Sequence, residues 1–289
     1  MGLRDILVVL DDGPVSEGRL QLATRIARQQ EASLNAVFLR SDRVAPSRVA
    51  SRAPQLALTP GSSSGLVAAA LWAEPAPRDE GEFLERRFRD CIRCIEHGGE
   101  WYRLDRPNPA TLVNLAKAAD LVVMGQVNPH VGALPSWYRP EEIVVNCGRP
   151  VLMVPYIGTY EEVGRRVLVA WDGSREAVRA LNDALPIIAS ARIVTLMAIR
   201  SDFRSFQLDR IAMQNMRRHM ARHDIVAIID ETLRGDSTVH DVLLSRSVDL
   251  AADMIVAGAY HRSPIREALV GGVSRGLLQH MTVPVLMSH

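Results

Sequence analysis

A glycine-rich stretch near the C-terminus carries the strongest chemical signal in this sequence. Gly258 closes an apolar run, and after a loop that contains His261 and Arg262 comes Gly271-Gly272-Val273-Ser274. Glycine lets a ligand approach the backbone closely, and the unpaired N–H groups at a helix N-terminus bind anions. The pattern indicates a phosphate site with the Ser274 hydroxyl as a further donor. A tight turn before an amphipathic helix explains the same glycines equally well, and spacing alone leaves both interpretations open.

A second candidate is Asp172-Gly173-Ser174, which follows the apolar run 166–171. Ligands of open parallel α/β sheets bind beyond the carboxyl ends of the strands, where an aspartate can accept hydrogen bonds from a base or a ribose. The alternative is helix capping, because Asp and Ser are both good N-cap residues. Asp11 ends the apolar run 6–10 in the same way and has the same two interpretations.

These residues belong to a unit that occurs twice. Asp11 matches Asp172 with an offset of 161, whereas the later runs that begin at Asp120 and Asp253 match with an offset of 133. The first copy therefore carries roughly 28 additional residues, by internal-repeat matching. This surplus falls in the Arg-, Ser-, Pro- and Gly-rich stretch 41–79, which predicts an elaborated surface loop.

Strands alternate with helical patterns in both copies, which predicts right-handed crossovers and parallel sheets covered on both faces. The predicted fold class is α/β, with two tandem open five-stranded parallel-sheet domains. The domains are expected at 1–157 and 164–289. The predicted strands are 4–10, 32–39, 99–104, 120–125 and 150–155 in the first half, and 166–171, 192–199, 225–231, 253–258 and 284–288 in the second.

Composition narrows the functional classes. The chain has 34 Lys and Arg against 33 Asp and Glu, which gives no electrostatic reason to expect nucleic acid or an anionic membrane as the partner. Its apolar residues come in short runs, so no transmembrane helix is predicted, and the first residues show no signal-peptide pattern. Three cysteines do not suggest a disulfide framework. A cytoplasmic location with reduced thiols is expected.

Two further motifs have spacings found in metal or redox sites. Cys91-Ile-Arg-Cys94, with His97 one turn on, lies in a charged amphipathic helix predicted over 82–97, away from the helix N-terminus that stabilises a thiolate. His219 and His223 have i,i+4 spacing but lack the glutamate of a His-Glu-x-x-His site. Surface helices are the favoured interpretation of both, and no metal site or catalytic residue is predicted.

The chain resembles the universal stress protein family, whose fold is the HUP type, in its tandem form. The resemblance rests on Asp172-Gly-Ser, on the strand 254–258, on the loop from Gly258 to Gly271-Gly272, which is similar to the family's Gly-x2-Gly-x9-Gly-Ser/Thr motif, and on the closing run Pro284-Val-Leu. It covers both halves except 41–79. It implies the strand order 3-2-1-4-5 and domains that pair through their last strands, 151–154 and 285–288.

The same resemblance implies ATP or a related adenine nucleotide in the C-terminal domain. Asp172 would face the base and ribose. Two positions depart from the family pattern: His261 replaces the second loop glycine, and Gly272 replaces the usual hydroxyl residue. The residues that the resemblance assigns to the site are Asp172, Gly173, Ser174, Gly258, His261, Arg262, Gly271, Gly272, Val273 and Ser274.

The first half departs further. Gly125 is followed by a segment without a Gly-Gly or Gly-Ser turn, and Glu141-Glu142 open the next helix, where carboxylates suit the helix dipole but would repel a phosphate. The N-terminal domain is therefore expected to be structurally intact and poor at binding nucleotide.

The predicted function is that of a stress-associated nucleotide-binding protein with at most slow ATP hydrolysis. The alternative is a protein-interaction or structural module with decayed sites. A third class, a nucleotide-dependent enzyme of the adenine-nucleotide α-hydrolase group, lacks its His-containing phosphate motif here. Association into homodimers and an unidentified protein partner stay open.

Overall fold

The computed structural model describes residues 2–40, 79–104, 108–128, 138–201, 206–259 and 272–289. The predicted loop over 41–79 lies outside the described residues except for Asp79. Asp79 caps the helix that follows, because its side chain accepts hydrogen bonds from the N–H groups of Gly81 and Glu82.

The short apolar runs form ten strands within the described ranges, and every predicted strand is confirmed to within about two residues at its ends. Most are buried, as expected for parallel strands covered on both faces. In the first half they are β1 (Asp5–Asp11), β2 (Ser33–Leu39), β3 (Trp101–Leu104), β4 (Leu121–Gly125) and β5 (Val151–Val154). In the second half they are β6 (Arg166–Ala170), β7 (Ile193–Arg200), β8 (Ala227–Leu233), β9 (Met254–Gly258) and β10 (Val285–Ser288).

Helices connect the parallel strands. In the described ranges they are α1 (Ser16–Gln30), α2 (Glu80–Ile92), α3 (Pro109–Lys117), α4 (Pro140–Asn146), α5 (Arg175–Ile188), α6 (Phe206–Ala221), α7 (Val239–Asp249) and α8 (Gly272–His280). The helix predicted over 82–97 is shorter than expected. It ends at Ile92 because the N–H of Cys94 turns back to the carbonyl of Cys91 and Gly98 adopts a φ of 64°, so Cys94 and His97 lie beyond the helix.

The strands form one sheet in the order β3-β2-β1-β4-β5-β10-β9-β6-β7-β8. All neighbours are parallel except β5 and β10, which pair antiparallel with Leu152 opposite Leu286. Each half therefore has the order 3-2-1-4-5 in its own numbering. The predicted fold class of two tandem parallel α/β units is confirmed.

The helices cover both faces of this sheet. One apolar core lies beneath α1, α2, α5 and α6 and includes Leu20, Phe88 and Leu181. The other lies beneath α3, α4, α7 and α8 and includes Ile143 and Leu277. Burying both faces of every central strand removes a large apolar area from water, and this burial is the main driving force for the fold.

Gln126, directly after β4, joins the two halves. Its side-chain Nε2 donates hydrogen bonds to the carbonyls of Leu278 and Gln279 in α8, at 2.9 Å and 3.1 Å, and its Oε1 accepts the N–H of Tyr156 at 3.2 Å. Gln126 is 6% exposed. It therefore satisfies carbonyls near the C-terminal end of a helix that belongs to the other half.

Candidate functional site

A crevice of about 290 Å³ lies beyond the carboxyl ends of β6 and β9 in the C-terminal half. This is the edge of the sheet where the connections of β6 and β9 diverge, the usual ligand position in open α/β folds. Its apolar wall comes from Ala170, Trp171, Ala177, Met197, Ile199, Val239, Leu243 and Ala257. Its polar lining includes the predicted residues Asp172, Ser174 and Ser274.

The turn from β6 into α5 sets the position of Asp172. Gly173 adopts a φ of 79°, a left-handed conformation that favours glycine. Asp172 Oδ1 accepts the N–H of Ser174 at 2.9 Å, and Ser174 Oγ caps α5 by accepting the N–H of Ala177 at 3.1 Å. The predicted capping role of Ser174 is confirmed. Asp172 is exposed, and its second carboxylate oxygen makes no hydrogen bond within the described ranges.

Gly258 is required for the close approach of α5 to the end of β9. A Cβ at this position would lie 2.6 Å from the backbone nitrogen of Ala177 and 2.9 Å from the Cβ of Glu176. Gly258 therefore lets the first turn of α5 pack directly against the strand end, which brings Ser174 and Asp172 to the crevice.

The N-terminus of α8 forms the opposite side of the crevice. Gly272, Val273 and Ser274 all line it, and a Cβ at Gly272 would have no atom of the described residues within 4 Å. Ser274 is buried, at 6% exposure. The structure thus brings together six of the predicted site residues, with Gly173 in the adjoining turn. The remaining three, His261, Arg262 and Gly271, lie outside the described residues.

Two lining residues were not identified from the sequence. Trp171 is 5% exposed, and its indole Nε1 has no hydrogen-bond partner in the part of the chain that the structure describes. Glu176 is 2% exposed and forms an ion pair with Arg175. A glutamate in the first helical turn after a serine cap is ordinary capping chemistry, so its sequence position gave no sign that it faces a cavity.

The corresponding crevice in the N-terminal half is filled by Arg19. Its guanidinium Nη1 donates to the carbonyl of Val9 at 2.6 Å and to Asp11 Oδ2 at 3.0 Å, and the Arg19 side chain is only 1% exposed. A Cβ at Gly125 would lie 2.2 Å from Arg19 Nη2, so the guanidinium packs directly on that glycine. Gly125 ends β4 and is the counterpart of Gly258. The Arg19 guanidinium thus lies at the end of β4.

Asp11 is held entirely by its own half. Its Oδ1 accepts the N–H of Gly13 at 2.6 Å and the hydroxyl of Ser16 at 3.1 Å. Burial alone would raise the pKa of Asp11, but the charge and hydrogen bond of Arg19, with the bonds from Gly13 and Ser16, hold the pKa below its ordinary value. Asp11 is therefore an ionised, internally paired group.

Tyr138 completes the filled crevice. It is 5% exposed, and burial raises the pKa of its hydroxyl well above the ordinary value, with smaller electrostatic effects from Arg19 and Asp11. The loop and Glu141-Glu142 predict a nucleotide-poor N-terminal domain, and both glutamates do lie in the first turn of α4. No sequence pattern predicts the role of Arg19.

The structure gives less support to the other candidate sites. Within the described ranges, no group of three or more His, Cys, Asp and Glu side chains is arranged to hold a metal ion. His219 and His223 lie side by side on α6, with ring centroids 4.8 Å apart. None of the helices in the described part is long and apolar enough to cross a membrane.

The fold defines a tandem parallel α/β protein with one strand-end crevice open and one filled. Residues 164–289 match the universal stress protein family model. The C-terminal half is thus similar to this family, and the whole length of the chain has the fold of a solved universal stress protein structure.

Solved structures extend this likeness to both halves. The chain is similar to a universal stress protein from Archaeoglobus fulgidus DSM 4304, with 16% identity and a TM-score of 0.62 over 98% of this chain and 95% of that one. It is also similar to a putative universal stress protein from Pseudomonas aeruginosa UCBPP-PA14, with 15% identity and a TM-score of 0.56 over 99% of this chain and 93% of that one. At such identities the likeness shows the fold alone. No curated protein matches the chain.

Proposed function

We propose that the C-terminal crevice binds ATP or a related adenine nucleotide and that the N-terminal half supports this site without binding nucleotide itself. The observation that carries the proposal is the contrast between the two strand ends. The C-terminal crevice is open, with an apolar wall, Asp172 at its mouth and the N-terminus of α8 beside it, whereas Arg19 fills its counterpart.

Different parts of the lining suit the base, the ribose and the phosphates of a nucleotide. Trp171 and Met197 offer apolar contact for a base, and Asp172 offers a carboxylate oxygen for ribose hydroxyls. The N–H groups at the start of α8 and the Ser274 hydroxyl suit a phosphate. The protein then acts as a cytoplasmic stress-signalling module that senses nucleotide, with no strong chemistry of its own.

The charge of the crevice affects how nucleotide affinity depends on the number of phosphates. Asp172 and Glu176 are acidic, and the described lining contains no Lys or Arg. Each additional phosphate therefore brings repulsion as well as contacts with α8. Titration calorimetry with adenosine, AMP, ADP and ATP would show whether affinity rises with phosphate number or levels off after the first phosphate.

A matched pair of variants tests where the phosphate lies. Gly272→Glu places a carboxylate in the first turn of α8, where open space and the helix dipole favour folding, but where it repels a phosphate. We expect ATP affinity to fall at least about tenfold by like-charge repulsion, while adenosine affinity stays the same. Gly272→Gln, of nearly the same size and uncharged, should bind ATP like wild type.

The alternative function is a protein-interaction or structural module. The N-terminal strand end favours this role for that half, because the buried Arg19–Asp11 ion pair lies where the open crevice has its counterpart. If wild type shows no saturable binding of adenosine or any adenine nucleotide, the nucleotide proposal is wrong and the interaction module is favoured for the whole chain. Equal weakening by Glu and Gln at position 272 would instead contradict the phosphate placement.

A further inference from the structure

The C-terminal end of α2 places two thiols within one turn. The N–H of Cys94 donates to the carbonyl of Cys91 at 3.2 Å, which closes an i to i+3 turn directly after the helix ends at Ile92. Both cysteines are free thiols. The two α-carbons of such a turn lie within about 7 Å of each other, which overlaps the separation of about 4.4–6.8 Å found in disulfides.

The segments on both sides hold this turn in place. Upstream, Phe88 is buried and packs against Trp101 with the rings tilted and their centroids 5.5 Å apart, which fixes the last turns of α2. Downstream, Ile95 is 7% exposed, and the carbonyl of Gly98 accepts the N–H of Leu34 in β2 at 3.1 Å. Only the connecting residues 93 and 94 need to adjust for the sulfurs to meet, because both flanks are anchored.

The two thiols differ in access. Cys94 is exposed, whereas Cys91 is half-buried and packs against the apolar core beneath α2. The exposed thiol is the one that a small oxidant reaches first, and the half-buried neighbour can resolve the product. This is the arrangement of an attacking and a resolving cysteine.

The third cysteine gives a contrast within the same chain. Cys147 is 3% exposed, and its Sγ donates to the carbonyl of Arg149 at 3.4 Å. Burial raises the pKa of the Cys147 thiol, and smaller contributions from backbone hydrogen bonds and nearby arginines do not offset it. Since the thiolate is the reactive form, Cys147 is expected to be inert in the folded protein.

We propose that Cys91 and Cys94 form a reversible thiol–disulfide pair that responds to hydroperoxides. The Cys94 thiolate attacks the terminal oxygen of hydrogen peroxide and breaks the O–O bond, which yields a sulfenic acid and, after one proton transfer, water. The Cys91 thiol then attacks the sulfenic sulfur, forms the S–S bond and releases a second water. The two thiols lose two protons and two electrons, which reduce one hydrogen peroxide to two waters.

The position of the pair sets its rate. It lies at the C-terminal end of α2, where the helix dipole does not favour an anion. Oxidation should therefore be slower than at a cysteine pair on a helix N-terminus and should speed up as the pH rises. The disulfide is therefore expected to form under sustained exposure to oxidant and not during a brief pulse.

The test treats the full-length, folded protein with hydrogen peroxide and follows each thiol by alkylation and peptide mass spectrometry. We expect the number of free thiols to fall from three to one, with a loss of two hydrogen atoms from the peptide that spans 91–94. Dithiothreitol should restore all of them. Persistence of free thiols at 91 and 94, or oxidation of Cys147 at the same rate, would overturn the proposal.

Single variants separate the two roles. Cys91→Ser should leave Cys94 as a sulfenic acid that dimedone traps, whereas Cys94→Ser should slow the oxidation of Cys91 at least about tenfold, since access limits the rate. Cys147→Ser is the matched control and should oxidise like wild type. If Cys91→Ser gives no dimedone adduct and wild type forms only sulfinic acid, the pair does not work as an attacking and a resolving cysteine.

Discussion

The two strand-end crevices differ by what the first helix of each half presents to them. In the first half, α1 contributes Arg19, whose guanidinium lies between Asp11 and Gly125. In the second half the position 161 residues later is Ala180, a fully buried methyl group. A residue on the first helix, and not only the glycine loop, therefore decides whether a parallel α/β unit keeps an open site.

The glycine that ends the fourth strand of each half is used differently in the two halves. Gly125 makes room for the end of a side chain, whereas Gly258 makes room for the backbone of α5 at Ala177. The C-terminal half therefore brings its helix closer to the strand and leaves the cavity on the side of α8. The same residue type at matching positions serves a closed site in one copy and an open one in the other.

The largest expected effect comes from breaking the ion pair that fills the first crevice. Arg19→Met leaves the buried carboxylate of Asp11 without its cation, and breaking a buried pair in this way costs about 3–5 kcal/mol. Urea unfolding of the purified protein, followed by circular dichroism, measures the loss in the free energy of unfolding.

The double variant Arg19→Met/Asp11→Asn is the control for that loss. It removes both charges and should recover a large part of the stability, because replacing a buried pair by uncharged groups is often close to neutral. A double variant as unstable as the single one would show that packing of the Arg19 side chain, and not charge, holds the crevice closed. The same variants, titrated with ATP, would show whether emptying the crevice creates a second site.

The next largest effect is expected at the glycine of the open crevice. Gly258→Ala forces its Cβ against the backbone nitrogen of Ala177, which cannot move without shifting α5, and such overpacking costs about 1–3 kcal/mol. Gly272→Ala is the matched control, since a Cβ there meets no atom within 4 Å among the residues that the structure describes. Thermal unfolding should show a clear loss for the first variant and no loss for the second.

A smaller effect is expected from removing the hydrogen bonds by which Gln126 joins the first half to the second. Gln126→Ala removes the donor to the carbonyls of Leu278 and Gln279 and the acceptor for the N–H of Tyr156. We expect a loss of about 1–2 kcal/mol in the free energy of unfolding, the cost of unmade buried hydrogen bonds. Hydrogen exchange should speed up in the last turn of α8. Unchanged exchange there would show that Gln126 does not stabilise the end of α8.

The smallest effect is expected from mild acid. The folded-state pKa of Asp11 lies below the ordinary 3.8, so its stabilising contribution is complete above that pH and is lost as the pH falls through the folded pKa. Unfolding midpoints measured between about pH 5 and pH 2.5 should decline for wild type, and less steeply for Asp11→Asn. An equally steep decline in both would assign the acid sensitivity to other carboxylates.

The sheet could be predicted from the sequence because its signals are local. Short apolar runs mark most of the strands, some of them closed by Asp or Gly as at Asp11, Gly125 and Gly258, and the internal repeat relates the two halves. The turn chemistry of Asp172-Gly173-Ser174 was equally local, since serine caps the helix and glycine adopts positive φ. These features depend on residues that are neighbours along the chain.

The contents of the two crevices could not be predicted in the same way. Arg19 lies next to Leu20 on α1 and reads as the polar edge of an amphipathic helix, yet its side chain turns inward to Asp11. Trp171 and Glu176 line the cavity through the packing of α5 against β9. Such pairings depend on how elements meet in space, and hydrophobic periodicity does not encode them.

The antiparallel junction of β5 and β10 gives the molecule two opposed ends. Because the strands of one half run against those of the other, the two carboxyl edges, and with them the filled and the open crevice, point in opposite directions. Helix α8 begins at the open crevice and ends at Gln126 of the other half, a path of about 13 Å for its nine residues. This helix is therefore one of several connections between the two ends, beside the β5–β10 strand pair and the hydrogen bonds from Gln30 to the Pro186 carbonyl and from Arg179 to the Gly148 carbonyl.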